Sequence, residues 1–587
     1  MSGARDTRGH DARTRDQATT MQSNGIDHHA DSFTALPPGH FLALPPTFSN
    51  DPRTSLTTNS HAAPGLAPNT ASLAAADFDV DVRTGFLPPG ENISRLPAPY
   101  DIWEDAFEAA RGEGPGDGLR LGGGPREDAW RAAVASLPTL GIEALDNLPL
   151  LRRAHLVLAF LLHFYVHSSP ASTTSAHEIP ASVSVPLLKI SPLVGLPPIL
   201  TYADTVLWNV NPADPTRPTN MAHNPPSTTL ASFTNTKSEA GFYLVSAECE
   251  SAGAAALALM RQCLDELFLA DELALRRLTV YLRQLAVQID RVGDITLRMN
   301  TEVDPEEFFH LIRPWFRGGD ADGPASPGWI FLGAENVEAL AQAENTLAPN
   351  TSAAGGRKFS GPSAGQSSLI HAFDIFLTVD HAPRADEEQT MTTGTATATA
   401  NGTAPAPGTS GSSEPGSASN RDLSGPIMLN ATPITKQETE PQAQRPGPPM
   451  HGPAPGGVVE ATFLNRMLQY MPLPHRTFLL HLSSHPTPLR ELVIARKDTH
   501  PALAAAYDEA LAALRRFRDK HMRVVSRFIV MQARRQPSEK VARLLPEVDP
   551  AQAAQVSEDA LRGTGGTPLI RFLKRCRDNT SRAMVQE

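Results

Sequence analysis

The chain has 587 residues, 51 Lys and Arg against 63 Asp and Glu, and a formal net charge of −12. An acidic balance without a basic stripe interleaved with aromatics argues against a nucleic-acid surface. The cysteines, Cys249, Cys263 and Cys576, are widely spaced and make neither a metal-ligand pattern nor an even disulfide set, which suits a reducing compartment.

The 53 prolines and 41 glycines are concentrated in a few tracts. Outside those tracts roughly 420 residues can fold, enough for one large domain with a smaller companion. Residues 1–80, rich in Ser, Thr, Pro, Gly, Asp and Ala, are expected to be a disordered tail. The N-terminus has charges and histidines but no apolar h-region, so no secretory signal is expected. The prolines of residues 87–99 predict an extended arm, and residues 100–110 a short helix with Ile102, Trp103 and Phe107 inward. A Gly-rich surface loop over 112–125 precedes a second helical stretch over 130–140. Residues 148–167 read as a third helix, apolar nearly all round and therefore buried. Its most apolar run, 156–166, is too short to cross a bilayer, so neither a membrane nor export is expected. His163 and His167 lie four apart on this helix. They read as a metal pair or as two helix histidines near a domain seam, and no acid or third ligand at suitable spacing supports the metal.

Residues 179–204 alternate prolines with aliphatics and predict a connector leading into a helix near Tyr202. A polar loop follows over 212–236. Residues 239–268 are rich in Ala and Leu, and 272–298 carry leucines at helical spacing, each predicting a strong helix. A further helix starts at DPEEFFHLIRPWF, where Asp304 can cap, Pro305 fits the first turn, and Glu306 and Glu307 favour the helix dipole. Residues 358–379 give a small-residue turn running into an apolar helix, and 384–457 a low-complexity, flexible insertion. Helix resumes over 463–470 and 475–481. Residues 503–535 predict one long helix with Leu511, Leu514, His521, Val525 and Phe528 on one stripe. That stripe faces a core yet carries a histidine, and Arg518, one turn earlier, needs an acid partner if buried. His521 reads as a hydrogen-bonded core histidine or as an axial ligand to iron. A polar excursion over 537–558 leads to RGTGGTPLIRFLKRCRD, a Gly-rich turn and a last amphipathic helix. Many helices and no succession of strands make an all-α fold with discontinuous contributions to one core.

Four stretches carry candidate chemistry. They are the His521 helix, the aromatic GFYLVS run at 241–246, the FFHLIR run at 308–313 and the GPSAGQSS turn at 361–368. Phe309 and Arg313 are four apart, which places an aromatic and a cation on one helical face. The glycines of the fourth stretch allow close backbone approach to something bulky. GTGGT at 563–567 lacks the lysine and spacing of a P-loop.

Taken together and in order, LPPILTYAD, GFYLVS, DPEEFFHLIR, SAGQSSLIHAFD, YMPLPHRTFL, RDKH and RGTGGTPLIRFLK resemble the indoleamine 2,3-dioxygenase family, haem enzymes that open the indole ring of L-tryptophan. The resemblance runs from residue 85 to 578 outside the insertion, and the composition suits a fungal member. It implies a two-domain, all-α fold: a smaller N-terminal, mainly helical domain over 81–195, and a large helical haem domain over 196–383 and 458–587. It implies His521 as the proximal haem ligand, Arg518 paired with Asp374, and Ser246 as the distal-side serine. Phe242 and Tyr202 match the pocket wall around the indole. Thr205 stands where some relatives carry cysteine, and Tyr243 follows Phe242 where relatives carry a second Phe. Phe308 matches an aromatic that stacks near the substrate ring, with Phe309 beside it in the pocket. Arg313 matches the cation that receives the substrate carboxylate. Ser363 and Ala364 match backbone contacts beside the haem, and Thr564 the hydroxyl of a mobile loop that closes over the substrate and a haem propionate.

The activity that the resemblance implies is cleavage of the indole C2–C3 bond of L-tryptophan by O₂ on ferrous haem b, giving N-formylkynurenine, the first step of the kynurenine pathway and of NAD precursor supply. A cytoplasmic monomer with a separate electron donor is expected. The rival reading is a haem scaffold of the same fold that binds or senses O₂ without turnover. Phe308, Arg313 and Thr564 form a substrate-side set that an O₂ binder does not need. Preference for another indoleamine is a third reading.

Overall fold

The computed structural model describes residues 78–170, 176–214, 216–217, 223–321, 326–337, 350–352, 355–381, 463–485, 488–545 and 569–586. Nearly all of the expected tail, the 384–457 insertion and the GTGGT turn with Thr564 therefore lie outside the described residues. The chain divides into two compact units, Met1–Asp380 with Met467–Glu587, and His381–Arg466. The helices and strands that build the site all belong to the first unit.

Helix α1, Asp101–Arg111, buries Trp103, Phe107 and Ala110 as its spacing predicts, but Glu104 is buried with them. Its carboxylate accepts from Arg153 Nε at 2.8 Å and Nη2 at 2.6 Å, and from Leu96 N at 2.9 Å. Helix α2, Pro125–Ala135, starts five residues earlier than predicted. Proline lacks the N–H that a first turn leaves unpaired anyway, so Pro125 begins the helix that its loop-like neighbours hide. Helix α3, Leu148–His167, has the predicted bounds, with Asn147 Oδ1 accepting from Leu150 N at 3.0 Å as its cap. By length and composition it could cross a bilayer, but here it is a core helix buried on nearly every side.

The predicted connector over 179–204 is largely a helix, α4, Ala181–Val194, with Pro186 and Pro192 inside it. Each proline gives up one backbone bond. Val183, Leu187, Leu188 and Ile190 are almost completely buried around them, and that burial outweighs the loss. Gly195 ends α4 in a left-handed conformation at φ 70°, where an added Cβ would overlap Leu473. A π-helical turn, Ala203–Leu207, follows. It is fixed by Asp204, which accepts from Thr201 N and Oγ1 at 2.8 Å each and from His155 Nδ1 at 2.7 Å.

Short strands occur where none was predicted. Strand β1, His177–Ile179, pairs in parallel with β4, Trp329–Phe331, and β2, Val210–Pro212, pairs antiparallel with β3, Pro226–Thr229. Two-residue strands β5, Asn350–Thr351, and β6, Arg357–Lys358, extend the first sheet from β4. None exceeds four residues, and the fold is all-α in character.

The larger part of the unit is built on three long helices: α5, Lys237–Leu269; α6, Glu272–Leu297; and α10, Pro501–Val525. Helix α6 lies between the other two and packs along both. Helix α7, Ser368–Phe376, packs on α5 and on α8, Leu473–Ser483. Gly253 on α5 allows this approach, because a Cβ there would overlap Leu369. Helix α9, Leu489–Arg496, was not predicted; it and α11, Leu569–Arg582, pack on α10. The predicted 503–535 helix is α-helical to Val525, then passes through a π-helical turn, Ser526–Val530, and a 3-10 turn, Gln532–Arg534.

Glu104→Ala is expected to leave the Arg153 guanidinium buried and unpaired, at a cost of about 3–5 kcal/mol. Guanidinium titration of both proteins should show a lower midpoint at an unchanged slope.

Candidate active site

The GFYLVS run forms the first turns of α5. Thr236 Oγ1 caps the helix by accepting from Glu239 N at 3.2 Å. The Glu239 carboxylate is buried and accepts from Phe233 N, from Thr234 N and Oγ1, and from Tyr243 OH at 2.8 Å. The extra hydroxyl at Tyr243 is thereby turned into this knot. Ser246 Oγ donates to Phe242 O at 2.9 Å, back along the same helix.

The FFHLIR run comes to meet Phe242. Asp304 Oδ1 caps Glu306 N at 2.8 Å and Glu307 N at 3.2 Å, and Pro305 takes the first turn, as predicted. Pro314 has no N–H to return to the preceding turn. The chain winds as a π-helical turn over Phe308–Ile312 and a 3-10 turn over Arg313–Phe316. The Phe308 ring then lies 4.8 Å from Phe242 and 5.8 Å from Phe528, and Phe316 lies 6.0 Å from Phe242. The Arg313 guanidinium stands 5.6 Å over the Phe309 ring. Desolvation, with Arg317 adding to it, pushes Arg313 down to about 10, although part of its surface stays accessible.

The GPSAGQSS turn abuts the same segment. A Cβ on Gly361 would overlap the Phe316 carbonyl, and one on Gly318 would overlap Phe359 O and Gly361 N. The bulky neighbour that these glycines admit is thus the chain's own backbone. Ser363 Oγ accepts from Gly365 N at 3.2 Å and starts a 3-10 turn, Ala364–Gln366. Gln366 Oε1 accepts from Tyr202 N at 2.8 Å. Tyr202 OH and Ser367 Oγ both donate to Glu250 Oε1, at 3.0 and 2.6 Å. Thr205 Oγ1 donates to Thr201 O at 3.1 Å. Burial pushes Glu250 up to about 7 against those two hydrogen bonds, and its Oε2 has no partner among the described residues.

His521 lies on α10, with its ring parallel to Phe517 at 6.5 Å. Arg518 donates to Asp374 on α7, and to Cys576 O and Thr580 Oγ1 on α11. Sequence reasoning required that acid, and Asp374 supplies it. Burial, with Arg518 adding to it, pushes the His521 imidazole down to about 4, so it is neutral at neutral pH. Among the described residues it has no hydrogen-bond partner. It also keeps part of its surface accessible. Phe528, seven residues and about 10 Å of helical rise further on, reaches the Phe308–Phe242 cluster. His371, by contrast, has Nε2 occupied by Gly365 O at 2.9 Å.

Haem fits these residues. No group of three or more His, Cys, Asp or Glu among the described residues could hold a bare ion. A single neutral imidazole suits an iron that brings its other in-plane ligands with it. The structure thus joins Phe242, Phe308, Phe309, Arg313 and Ser246, and pairs Arg518 with Asp374. It ties Tyr202 to the Ser363–Ala364 turn, and Thr564 lies outside the described residues.

Sequence reasoning missed Glu250 and Phe316 as members of this assembly, and placed Phe528 on the His521 stripe without its contact to Phe308. Glu250 is one helical turn beyond Ser246, and an acid on an apolar helix was its only signal. Phe316 lies beyond a change of winding that a period of 3.6 does not follow.

The candidate site joins an aromatic wall, a half-buried guanidinium and an imidazole without a hydrogen-bond partner among the described residues, on a helical scaffold. A family model described as indoleamine 2,3-dioxygenase matches residues 74–583, and the chain belongs to that family of dioxygenases. It is 28% identical to the indoleamine 2,3-dioxygenase of Saccharomyces cerevisiae, over 77% of this chain and 86% of that one. It is 26% identical to indoleamine 2,3-dioxygenase 1 of Mus musculus, over 78% and 85%. A 6-hydroxytryptophan 2,3-dioxygenase of Fusarium equiseti is 24% identical, over 86% and 96%.

Glu250 makes a pH-dependent contribution that can be isolated. Its folded value near 7 exceeds the ordinary 4.5, so stability is full below 4.5 and is lost as pH rises through 7. Glu250→Gln keeps an acceptor for Tyr202 and Ser367 and has no proton to lose. The stability of the variant minus that of the parent should rise by about 3 kcal/mol between acid and mildly alkaline pH. Denaturant titrations across that range check it.

Proposed function

We propose that the chain is a haem b-dependent dioxygenase that cleaves the indole C2–C3 bond of L-tryptophan with O₂ and releases N-formylkynurenine. The observation that carries the reading is the half-buried Arg313 guanidinium over Phe309, next to the Phe308–Phe242 wall. A partly desolvated cation beside an aromatic wall is what an indole with a carboxylate on its side chain requires.

His521 would hold the haem iron, and Arg518 with Asp374 fixes the turn of α10 that carries it. Ser363 and Ala364 would border the haem through their backbone. When bound and ferrous, the haem supplies O₂ activation and oxygen transfer. Arg313 takes the substrate carboxylate in a charge-assisted contact, and Phe242, Phe308 and Phe309 orient the indole and exclude water. Tyr202 and Thr205 back the wall, with Ser246 on the distal side. The role of Thr564 in closing over the substrate rests on the resemblance alone. A cytoplasmic monomer served by a separate reductant completes the reading. The rival, an O₂ binder without turnover, has no use for Arg313. Action on a substituted tryptophan, as the name of the Fusarium relative states for that protein, keeps the same carboxylate contact.

Purified, haem-loaded, reduced protein should show a histidine-ligated spectrum and form N-formylkynurenine from L-tryptophan and O₂. The spectrum without product at any tryptophan concentration favours the O₂ binder, and protein that takes up no haem overturns the reading. His521→Ala should lose the Soret band. Arg313→Leu should keep it and lower kcat/KM for L-tryptophan by about 2–3 kcal/mol, roughly 30- to 150-fold. Steady-state kinetics at low tryptophan decide this.

A further inference from the structure

The two α3 histidines, His163 and His167, bond to one short stretch of backbone. His163 Nδ1 lies 2.6 Å from the Trp315 carbonyl oxygen, and His167 Nε2 lies 2.9 Å from that of Arg317. These are the second and fourth residues after Arg313. The 3-10 turn Arg313–Phe316 ends there, and Arg317 is already extended at φ −68° and ψ 127°. Carbonyls at such an end have no partner further along the helix and must be met from elsewhere. Two imidazole N–H groups from a core helix meet them.

We propose that His163 and His167 are positioning residues of the substrate site. They hold the Arg313–Phe316 turn from behind and so set the direction in which Arg313 meets the substrate carboxylate. This rests on the reading of Arg313 given above.

The chemistry of the two rings supports it. Burial lowers both, His163 to about 4 and His167 well below the ordinary value, so each is neutral at neutral pH with a single N–H, directed at a carbonyl. His163 Nε2 is buried without a partner, so Nδ1 carries the proton. The alternative, a metal pair, finds no third ligand among the described residues. The surroundings are aromatic: Trp329 lies edge-on to His163 at 5.3 Å, and Trp315 lies parallel on Phe233 at 5.3 Å. Phe would fill that volume without desolvating a polar ring, so the N–H is what histidine adds.

Much of the site moves with this turn. Phe316 touches Phe242 and Tyr243, and its carbonyl abuts Gly361 at the head of the Ser363–Ala364 turn. A slack turn would misdirect Arg313 while leaving the aromatic wall roughly in place, so substrates should be affected according to whether they carry a carboxylate.

The test uses holoenzyme and two substrates, L-tryptophan and tryptamine, which is the same indole ethylamine without the carboxylate. His163→Phe and His167→Phe remove a donor and keep a ring. His163→Asn places an amide N–H where Nδ1 stands, and His167→Gln where Nε2 stands. Arg313→Leu is measured beside them. Each Phe variant should raise KM for L-tryptophan about tenfold, with kcat and the tryptamine parameters within about twofold, and the amide variants should return most of the loss. Where tryptamine turns over too slowly, its binding is read from the Soret shift. The inference is overturned if Arg313→Leu loses the preference for L-tryptophan while both Phe variants keep it, or if the Phe variants weaken both substrates equally. If Arg313→Leu itself keeps the preference, the reading of Arg313 has failed and the inference falls with it. If His163→Phe yields no soluble protein, the half-buried position 167 carries the same comparison.

Discussion

Arg518 carries a charge that has to be satisfied inside the protein. It is 7% exposed, and its donors reach Asp374 on α7 and both Cys576 O and Thr580 Oγ1 on α11. Holding a guanidinium out of water costs several kcal/mol unless its partners are in place. The three helices therefore close around it together. Thr580 Oγ1 also lies 2.9 Å from Cys576 O, so the acceptors on α11 are ordered by each other. Because Arg518 is one helical turn before His521, this closure fixes the rotation of α10 about its axis and the direction of the imidazole. An imidazole with no hydrogen bond of its own has nothing else to orient it except the face of Phe517.

A second constraint is winding. Among the described residues, π-helical turns occur at Ala203–Leu207, Phe308–Ile312 and Ser526–Val530. They carry Thr205, the pair Phe308 and Phe309, and Phe528. Widening a helix for one turn weakens its hydrogen-bond geometry and re-aims the side chains beyond it. All three occur beside the candidate site, and two of them bring Phe308 and Phe528 into contact. The cost is borne where the surrounding packing is dense: Ile312, Ala203 and Leu207 are buried almost completely.

Packing and winding together explain what could be read from the residues alone. Helices α6 and α10 were legible because their apolar spacing follows one period over many turns, and α3 and α5 because long runs of apolar helix formers carry no breaker. Helix α4 was not, because local proline chemistry points one way and burial of its aliphatics the other, and only the tertiary structure shows that burial wins. The acid for Arg518 could be demanded from the helix alone, since an unpaired buried charge is too costly, but only the resemblance pointed to Asp374. Partners that are backbone atoms left no trace. The carbonyls of Trp315 and Arg317 are about 150 positions from His163 and His167, and nothing in a residue's identity marks its carbonyl as unpaired. Glu250 was hidden for the opposite reason, since its partners Tyr202 and Ser367 were each noticed for something else.

The hydroxyls around the site share one property. Tyr202 donates to Glu250, Thr205 to Thr201 O, Tyr243 to Glu239 and Ser246 to Phe242 O. Each is occupied by the protein, so the wall is chemically quieter than its composition suggests. In the proposed reading the protein leaves bond making to its cofactor and contributes position. Discrimination then rests on few groups, above all a half-buried cation that tolerates little error in direction. A deeply buried helix serves that end. Helix α3 makes no hydrogen bond to the imidazole of His521, yet it fixes the turn after Arg313 through two side chains and the Tyr202 turn through His155 and Asp204. In the proposed reading a helix far from the iron ligand in sequence is what makes the substrate side precise in direction, and the cofactor side and the substrate side are anchored to different helices.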